Sequence, residues 1–282
     1  MKFGVFTVSI PDWEPLEAME RLAAMGYDGV EWRCTEDKGD RAKPSFWSGN
    51  RTSMTAREVI EKSPSLKKKA GELGLEMPSL GSYIDCPDPA DVELHMQAAV
   101  AIGAKSLRIG PGRYDGKSGT YPELLKRART QYAKVAKLAQ KYGVRAVIET
   151  HMGQLGPNVS KARAILERLD PEFVGIMWDP GNQVCEGSEV PQMALEIAGE
   201  YLAEVHVKNM RWERKGEENG QTIWFPEACP VNEGVANWPA IMSVLKKAGY
   251  DGWMFFEDFS TAQPLVERLQ RNIKWFRELA KA

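Results

Sequence analysis

The sequence predicts an α/β fold, a (β/α)₈ barrel in which eight parallel strands alternate with helices. Three observations predict it. Eight short apolar runs recur along the 282 residues. Most of them follow an amphipathic segment that ends in glycine. The tetrapeptide Gly-Tyr-Asp-Gly also stands at 26–29 and again at 249–252, each time between such a segment and an apolar run ending in glutamate. Barrels of about 250 residues are single domains, so residues 1–282 are expected to form one.

The first run is "FGVFTV". In "DWEPLEAMERLAAM", Leu16, Met19, Leu22 and Ala23 recur at helical spacing. Asp12 is placed to cap that helix, and Pro15 suits its first turn. Gly26 then takes the left-handed position that ends a helix without a Cβ clash, and "VEW" follows as the second strand. From about Thr35 to Thr55 no periodicity appears, and Phe46-Trp47 lies inside this long loop.

"SLKKKAGEL" runs to Gly74 and the third strand, "MPSLG"; its three lysines, 67–69, read as a solvated helix face. "VELHMQAAVAI" runs to Gly103 and the fourth strand, "SLRIG", with His95 read as structural. The glycine-rich "RIGPGRYDGKSG" could approach a ligand closely but holds no complete phosphate loop. Thr120 and Glu123 make a capping box for a helix that ends at Gly143, before "VRAVIET". "VGIMWD" and "AEVHV" are the sixth and seventh strands. A second long loop, from about Arg211 to Ala236, holds Trp212 and Trp224-Phe225. Asn237 caps the next helix, with Pro239 in its first turn, and "WMFF" closes the set. Near-continuous apolar runs suit strands covered on one side and packed within. A doubly wound sheet is the structural rival, weakened by the lack of a glycine-rich phosphate loop after the first strand.

Composition narrows the partners. With 43% hydrophobic and 27% charged residues, the chain reads as a soluble globular protein. The 37 basic and 39 acidic residues give a net charge of −2, so no positive excess serves a nucleic-acid backbone. No apolar stretch approaches the roughly 18 residues of a membrane helix, and the first residues lack a signal-peptide pattern. The four cysteines, 34, 86, 185 and 229, are scattered and read as reduced thiols of a cytoplasmic protein.

The last four strands end in ionisable residues: Glu149, Asp179, His206 and Glu257. In a closed barrel these ends are neighbours at the C-terminal mouth, where such folds build their active sites. One acid at a strand end commonly caps a helix or meets a lysine, and a lone histidine can be a bonded core residue. Four on successive strands read as ligands of one divalent ion. The oxygen-rich set favours Mn²⁺ or Mg²⁺, with Co²⁺ or Zn²⁺ as alternatives. Glu31, at the end of the second strand, and Arg108, in the fourth, either contact a substrate or join an ion pair. Both long loops follow strands, so they are expected to rise over the mouth as lids. Their aromatics would stack on sugar faces, exclude water, pack within the loop, or bury the contact of a homo-oligomer.

At these residues the chain resembles the sugar-phosphate isomerase/epimerase superfamily of xylose isomerase-like TIM barrels. That superfamily includes D-tagatose 3-epimerase-type enzymes, hydroxypyruvate isomerases, inosose dehydratases and endonuclease IV. The matching pieces are "GYDGVEW", "VIETH", "MWDPGN", "EVHVKNMR" and "NEGVANWPAIMSVLKKAGYDGWMFFE". The resemblance covers almost the whole chain. It implies that Glu149, Asp179, His206 and Glu257 hold the metal and that Glu149 and Glu257 also move a proton. It implies substrate contacts for Lys208 and Arg211. "ETHMG" is similar to the inosose dehydratase branch and implies a catalytic role for His151, whose alternative is a loop histidine bonded to backbone. Two positions depart from the family pattern: Asn209 stands for an aspartate and Asn182 for a histidine.

The expected activity is that of an isomerase or epimerase acting on a keto sugar, sugar phosphate or polyol derivative through a metal-stabilised enediolate. A dehydratase or other lyase using the same proton abstraction is the first alternative. A non-catalytic sugar-binding subunit is another. DNA repair of the endonuclease IV kind is disfavoured because a three-zinc site needs several histidines and the chain has 3.

Overall fold

The computed structural model describes residues 1–86 and 88–281. In chain order the strands are β1 (Lys2–Phe6), β2 (Gly29–Cys34), β3 (Glu76–Ser82), β4 (Ser106–Arg108), β5 (Arg145–Glu149), β6 (Val174–Trp178), β7 (Leu202–Val207), β8 (Met210–Glu218), β9 (Gln221–Ala228) and β10 (Trp253–Phe256). Eight of them close a parallel barrel in the order β1-β10-β7-β6-β5-β4-β3-β2. The ring shuts where β1 pairs with β10, from Lys2 opposite Trp253 to Val5 opposite Phe256. The helices are α1 (Pro15–Ala24), α2 (Ala56–Leu73), α3 (Pro89–Ile102), α4 (Tyr121–Tyr142), α5 (Val159–Leu166), α6 (Pro180–Glu186), α7 (Pro191–Ala198), α8 (Trp238–Lys247) and α9 (Leu265–Lys281). Among the described residues no helix is long and apolar enough to cross a membrane, and all four cysteines are free thiols.

Helix grammar works largely as the sequence implies. Gly26 and Gly249 take φ of +85° and +71°, so each helix ends in a left-handed turn that a Cβ would strain. Thr120 and Glu123 form their capping box, and the Asn237 side chain accepts from the Ala240 amide. Asp12 does not cap α1. The N-cap is Glu14, without a side-chain hydrogen bond, because Pro15 at the first helical position has no N–H to satisfy and fixes the entry angle.

Two apolar clusters divide the interior. The larger lies between strands and helices and takes Val30, Trp32 and Cys34 from β2 and Val205 and Val207 from β7. A small one, Phe6, Val8 and Phe255, fills part of the barrel lumen. The alternate residues of β2 and β7, namely Glu31, Arg33, Glu204 and His206, are buried as well. Since neighbours on a strand face opposite ways, the lumen is a polar column wrapped by an apolar shell. The Phe276 ring of α9 lies 4.9 Å from Phe256, 5.3 Å from Trp238 and 6.2 Å from Phe3, packing the last helix over the ring's seam.

The segment expected to be a second irregular loop is instead the antiparallel hairpin β8–β9, with Met210 opposite Ala228 and Glu218 opposite Gln221. Asn219 and Gly220 turn it with φ of +50° and +78°, the left-handed pair that a tight hairpin needs. Trp212, Trp224 and Phe225 stand exposed on it. The 35–55 segment is a compact loop. Asp37 accepts amide hydrogen bonds from Gly39, Gly49 and Asn50 at 2.9, 2.8 and 3.0 Å. Phe46 and Trp47 pack on Phe259, beyond β10, with centroids at 5.1 and 4.9 Å.

Candidate metal centre

Glu149 is the last residue of β5, Asp179 follows β6, His206 lies near the end of β7, and Glu257 follows β10. These four strands are neighbours in the ring, so their ends converge. All four residues are buried, and one donor atom from each lies within 4.8 Å of the others. The register assists: Phe255 pairs with His206, so Glu257 rises just beyond it.

His206 is the hub. Its Nε2 donates to Glu31 Oε2 at 2.7 Å. Its Nδ1 is buried without a hydrogen-bond partner. That nitrogen stands 3.4 Å from Glu149 Oε1, 3.7 Å from Glu257 Oε2 and 3.9 Å from Asp179 Oδ2. Donors sharing one small divalent ion at about 2.0–2.2 Å stand no more than about 4.4 Å apart. The three distances fall under that ceiling. An orphaned imidazole nitrogen facing three carboxylate oxygens therefore fits a divalent cation. The donor set, three oxygens and one nitrogen, suits Mn²⁺, Mg²⁺ or Zn²⁺.

Two further cations are built in. Arg108 donates through its guanidinium to Glu149 Oε2 at 2.5 Å and through Nε to the Ser82 carbonyl at 2.7 Å. It stacks 4.3 Å over the Tyr83 ring. Lys208 Nζ pairs with Glu257, stands 3.0 Å from Asp179 Oδ2 and 4.0 Å from Glu149 Oε1, and lies 5.3 Å over the Phe259 ring. Burial penalises charge on Glu149, but Arg108, His206 and Lys208 outweigh it and hold its carboxyl well below the usual range. For Glu257, burial is likewise outweighed by Lys208 and the nearby His206, which bring its pKa down. Asp179 goes the other way. Its burial, with Glu149 and Glu257 nearby, pushes it up to about 7 against the pull of Lys208. Despite burial, Glu31, Glu149 and Glu257 hold His206 well above the ordinary imidazole value; a cation bound at Nδ1 would take the place of the proton there and leave the ring neutral, with its remaining proton on Nε2.

The other candidate residues named from the sequence land at different places. Glu31 is inside β2 rather than at its end. Its side chain is shut off from solvent, because alternation along the strand turns it into the lumen. Arg108 meets Glu149 directly. Arg211 lies exposed on the hairpin and turns to Glu213 at 2.8 Å. His151 sits half-buried just past β5 with Nδ1 2.7 Å from the Met152 carbonyl. His95 is buried on α3 against the Asp91 carbonyl at 2.8 Å.

Three contributors escape a reading of the sequence. Asn182 approaches Glu149 Oε1 and Asp179 Oδ2 through Nδ2, each at 3.1 Å, so a neutral amide braces both carboxylates. Glu204, two residues before His206, is buried in the lumen between Ser79 and Ser106 at 3.0 Å each, and burial with Glu31 nearby pushes it up to about 8. The alternation of Glu204 and His206 in "AEVHV" is its signal. Arg113 lines a cleft beside Glu149 together with Tyr83, Asp85 and Gln154. It belongs to the glycine-rich loop singled out for close approach to a ligand.

Against known proteins, the family model described as "Xylose isomerase-like TIM barrel" matches residues 19–279. An inosose dehydratase of Mesomycoplasma hyopneumoniae (strain 7448) is 27% identical over 156 residues, which are 52% of this chain and 51% of that protein. The chain thus spans about half the length of the curated relatives it matches. The apo crystal structure of the 3-keto-D-glucoside 4-epimerase YcjR from E. coli superposes with a TM-score of 0.74 at 15% identity, covering 99% of both chains. The IOLI protein with a binding zinc atom superposes at 0.75, also at 15% identity, covering 100% of this chain and 98% of that one. At such identity these two likenesses speak for the fold.

Proposed function

The chain belongs to the xylose isomerase-like TIM barrel family, and from that premise we propose that it is a divalent-metal-dependent isomerase or epimerase of a keto sugar, sugar phosphate or polyol derivative. One observation carries the reading: the buried, unpartnered Nδ1 of His206, faced by one oxygen each from Glu149, Asp179 and Glu257. A binding module has little use for three buried carboxylates around an orphaned imidazole, whereas proton transfer beside a carbonyl needs such groups.

Glu149, Asp179, His206 and Glu257 would hold the ion. When bound, it polarises a substrate carbonyl and acidifies the neighbouring C–H. The rest falls to the chain's own side chains. Glu149 and Glu257 reach the centre from β5 and β10, with β6 and β7 between them in the ring. As a carboxylate, Glu149 takes the proton from the substrate carbon; it returns that proton itself to the neighbouring atom, whereas delivery to the opposite face needs a second proton, carried by Glu257. Arg108 steadies Glu149 as the anion that abstracts, and Lys208, an ammonium paired with Glu257, is placed to supply the proton that Glu257 delivers. Lys208 is also placed to bind a substrate oxygen. Phe46, Trp47 and Phe259 form an apolar wall beside Lys208 and exclude water there.

The matched inosose dehydratases favour a second reading. There the same proton abstraction is followed by loss of a β-hydroxyl, with His151 just past Glu149 available to protonate the departing oxygen. Incubation with keto sugars and an inosose in D₂O, followed by NMR, separates the two. The isomerase reading expects deuterium at a carbon beside the carbonyl with all hydroxyls retained. The lyase reading expects an unsaturated product. Glu149→Gln and Glu257→Gln should each lower the rate about 10²–10⁴-fold. Exchange that persists unchanged in both variants would remove them from the chemistry.

A further inference from the structure

Glu31 and His206 are 175 positions apart in sequence, yet Glu31 Oε2 accepts from His206 Nε2 at 2.7 Å. Both side chains are fully buried, and the imidazole stands between Glu31, on Nε2, and the three carboxylates that face Nδ1. Three elements hold the pair in place. From β3, Ser79 Oγ donates to the other oxygen of Glu31 at 3.2 Å and stands 3.0 Å from Glu204 Oε1. Also on β3, Gly81 leaves the space Glu31 needs: a Cβ there would come within 2.9 Å of Glu31 Oε1 and 2.4 Å of the Phe6 ring. From β1, the Phe6 ring lies 5.3 Å from the imidazole, and Phe255 of β10 meets it edge-on at 6.4 Å. The ring is thus clamped by aromatics, and its rotation is settled by Glu31 alone.

We infer that Glu31 is the positioning residue of the centre: by keeping the proton on Nε2 of His206, it presents the Nδ1 lone pair to the cation. A neutral imidazole has one donor and one acceptor nitrogen, and the partner of the first fixes the second. Carboxylates behind metal-bound histidines act this way, and losing one costs about 10–100-fold in metal affinity or activity. A core ion pair without this role would contribute to folding and leave ion binding alone. The inference rests on the metal reading above.

The test is Mn²⁺ titration by calorimetry of the wild type, Glu31→Gln and Ser79→Ala, with NMR of the imidazoles. The chain has 3 histidines, so the His206 ring is assignable. Glu31→Gln, of equal size, is expected to bind Mn²⁺ about 10–100-fold more weakly and to lose the slowly exchanging Nε2–H signal of His206. Ser79→Ala, which frees only one oxygen of Glu31, is expected to show a smaller loss of the same kind. Affinity within twofold of wild type in both variants overturns the inference while leaving the metal site standing. Should Glu31→Gln not fold, unchanged affinity in Ser79→Ala overturns it. Failure of the wild type to bind Mn²⁺, Mg²⁺ or Zn²⁺ is a different result, which defeats the metal reading itself.

Discussion

Arg108 joins a stability argument to the proposed chemistry. Its guanidinium is desolvated, paired with Glu149 and stacked on Tyr83. Removing one partner of a buried pair leaves an uncompensated charge, which costs about 3–5 kcal/mol, whereas removing both costs much less. Arg108→Met should therefore destabilise the metal-free protein by about that amount in chemical unfolding, and Arg108→Met with Glu149→Gln by clearly less. Costs that simply add would mean the two groups are independent. The sequence places Glu149 at a strand end and Arg108 in a neighbouring strand. Their meeting follows from β4 and β5 pairing, with Arg108 opposite Val147. The Glu31–His206 bond is harder to foresee, because it crosses the lumen and only the closed ring brings β2 and β7 within reach. In the sequence Asn182 is only a departure from a family pattern. Its hydrogen bonds make it a brace, which becomes visible once its helix is seen to start at Asp179, whose side chain accepts from the Asn182 amide.

Legibility among the elements follows the strength of local signals. All eight apolar runs are barrel strands, because burial on the helix side imposes a hydrophobic residue at every second position whatever the loops do. Helices α5 and α6 leave little trace in the sequence. They are 8 and 7 residues long, and α5 stops without glycine, with Arg168 just beyond it at φ +69°. The β8–β9 hairpin reads as loop because its strands are charged and solvated, although Asn219-Gly220 is a usable turn signal. The 35–55 loop depends on Asp37. Burial opposes its charge, but the amides of Gly39, Gly49 and Asn50 and the Arg33 guanidinium, 3.0 Å away, outweigh that and hold its carboxyl below the usual value. A depressed folded pKa gives stability that is present above the unfolded value of about 3.9 and lost as pH falls through the folded one. Protection of the Gly39, Gly49 and Asn50 amides from hydrogen exchange should thus weaken below about pH 4. At neutral pH, Asp37→Ala should be cut by trypsin after Lys38 or Arg41 while the wild type resists. Equal resistance would show that Asp37 does not hold the loop.

At the scale of the whole molecule, fold and site depend on the same closure. The four proposed ligands come from β10, β7, β6 and β5, an unbroken half of the ring. A cation held there ties four strands together at their C-terminal ends, while α9 packs over the seam between β1 and β10 from outside. Anything that binds only the folded state stabilises it, by about 2.7 kcal/mol at a free concentration one hundred times Kd. The unfolding entropy near 60 °C is about 2.1 cal/mol/K per residue, or about 0.6 kcal/mol/K for this chain. Saturating Mn²⁺ should therefore raise the midpoint of thermal unfolding by about 4–5 °C, and a chelator should reverse the rise. The shift must depend on the ligands: Asp179→Asn should keep the fold and lose most of it, whereas Arg211→Ala, on the solvent-facing hairpin, should keep it. A shift of equal size in wild type and Asp179→Asn would place the ion elsewhere. In that event the four strand ends would be a self-compensating charge cluster, balanced by Arg108 and Lys208, and proton transfer at this mouth would lose its physical basis.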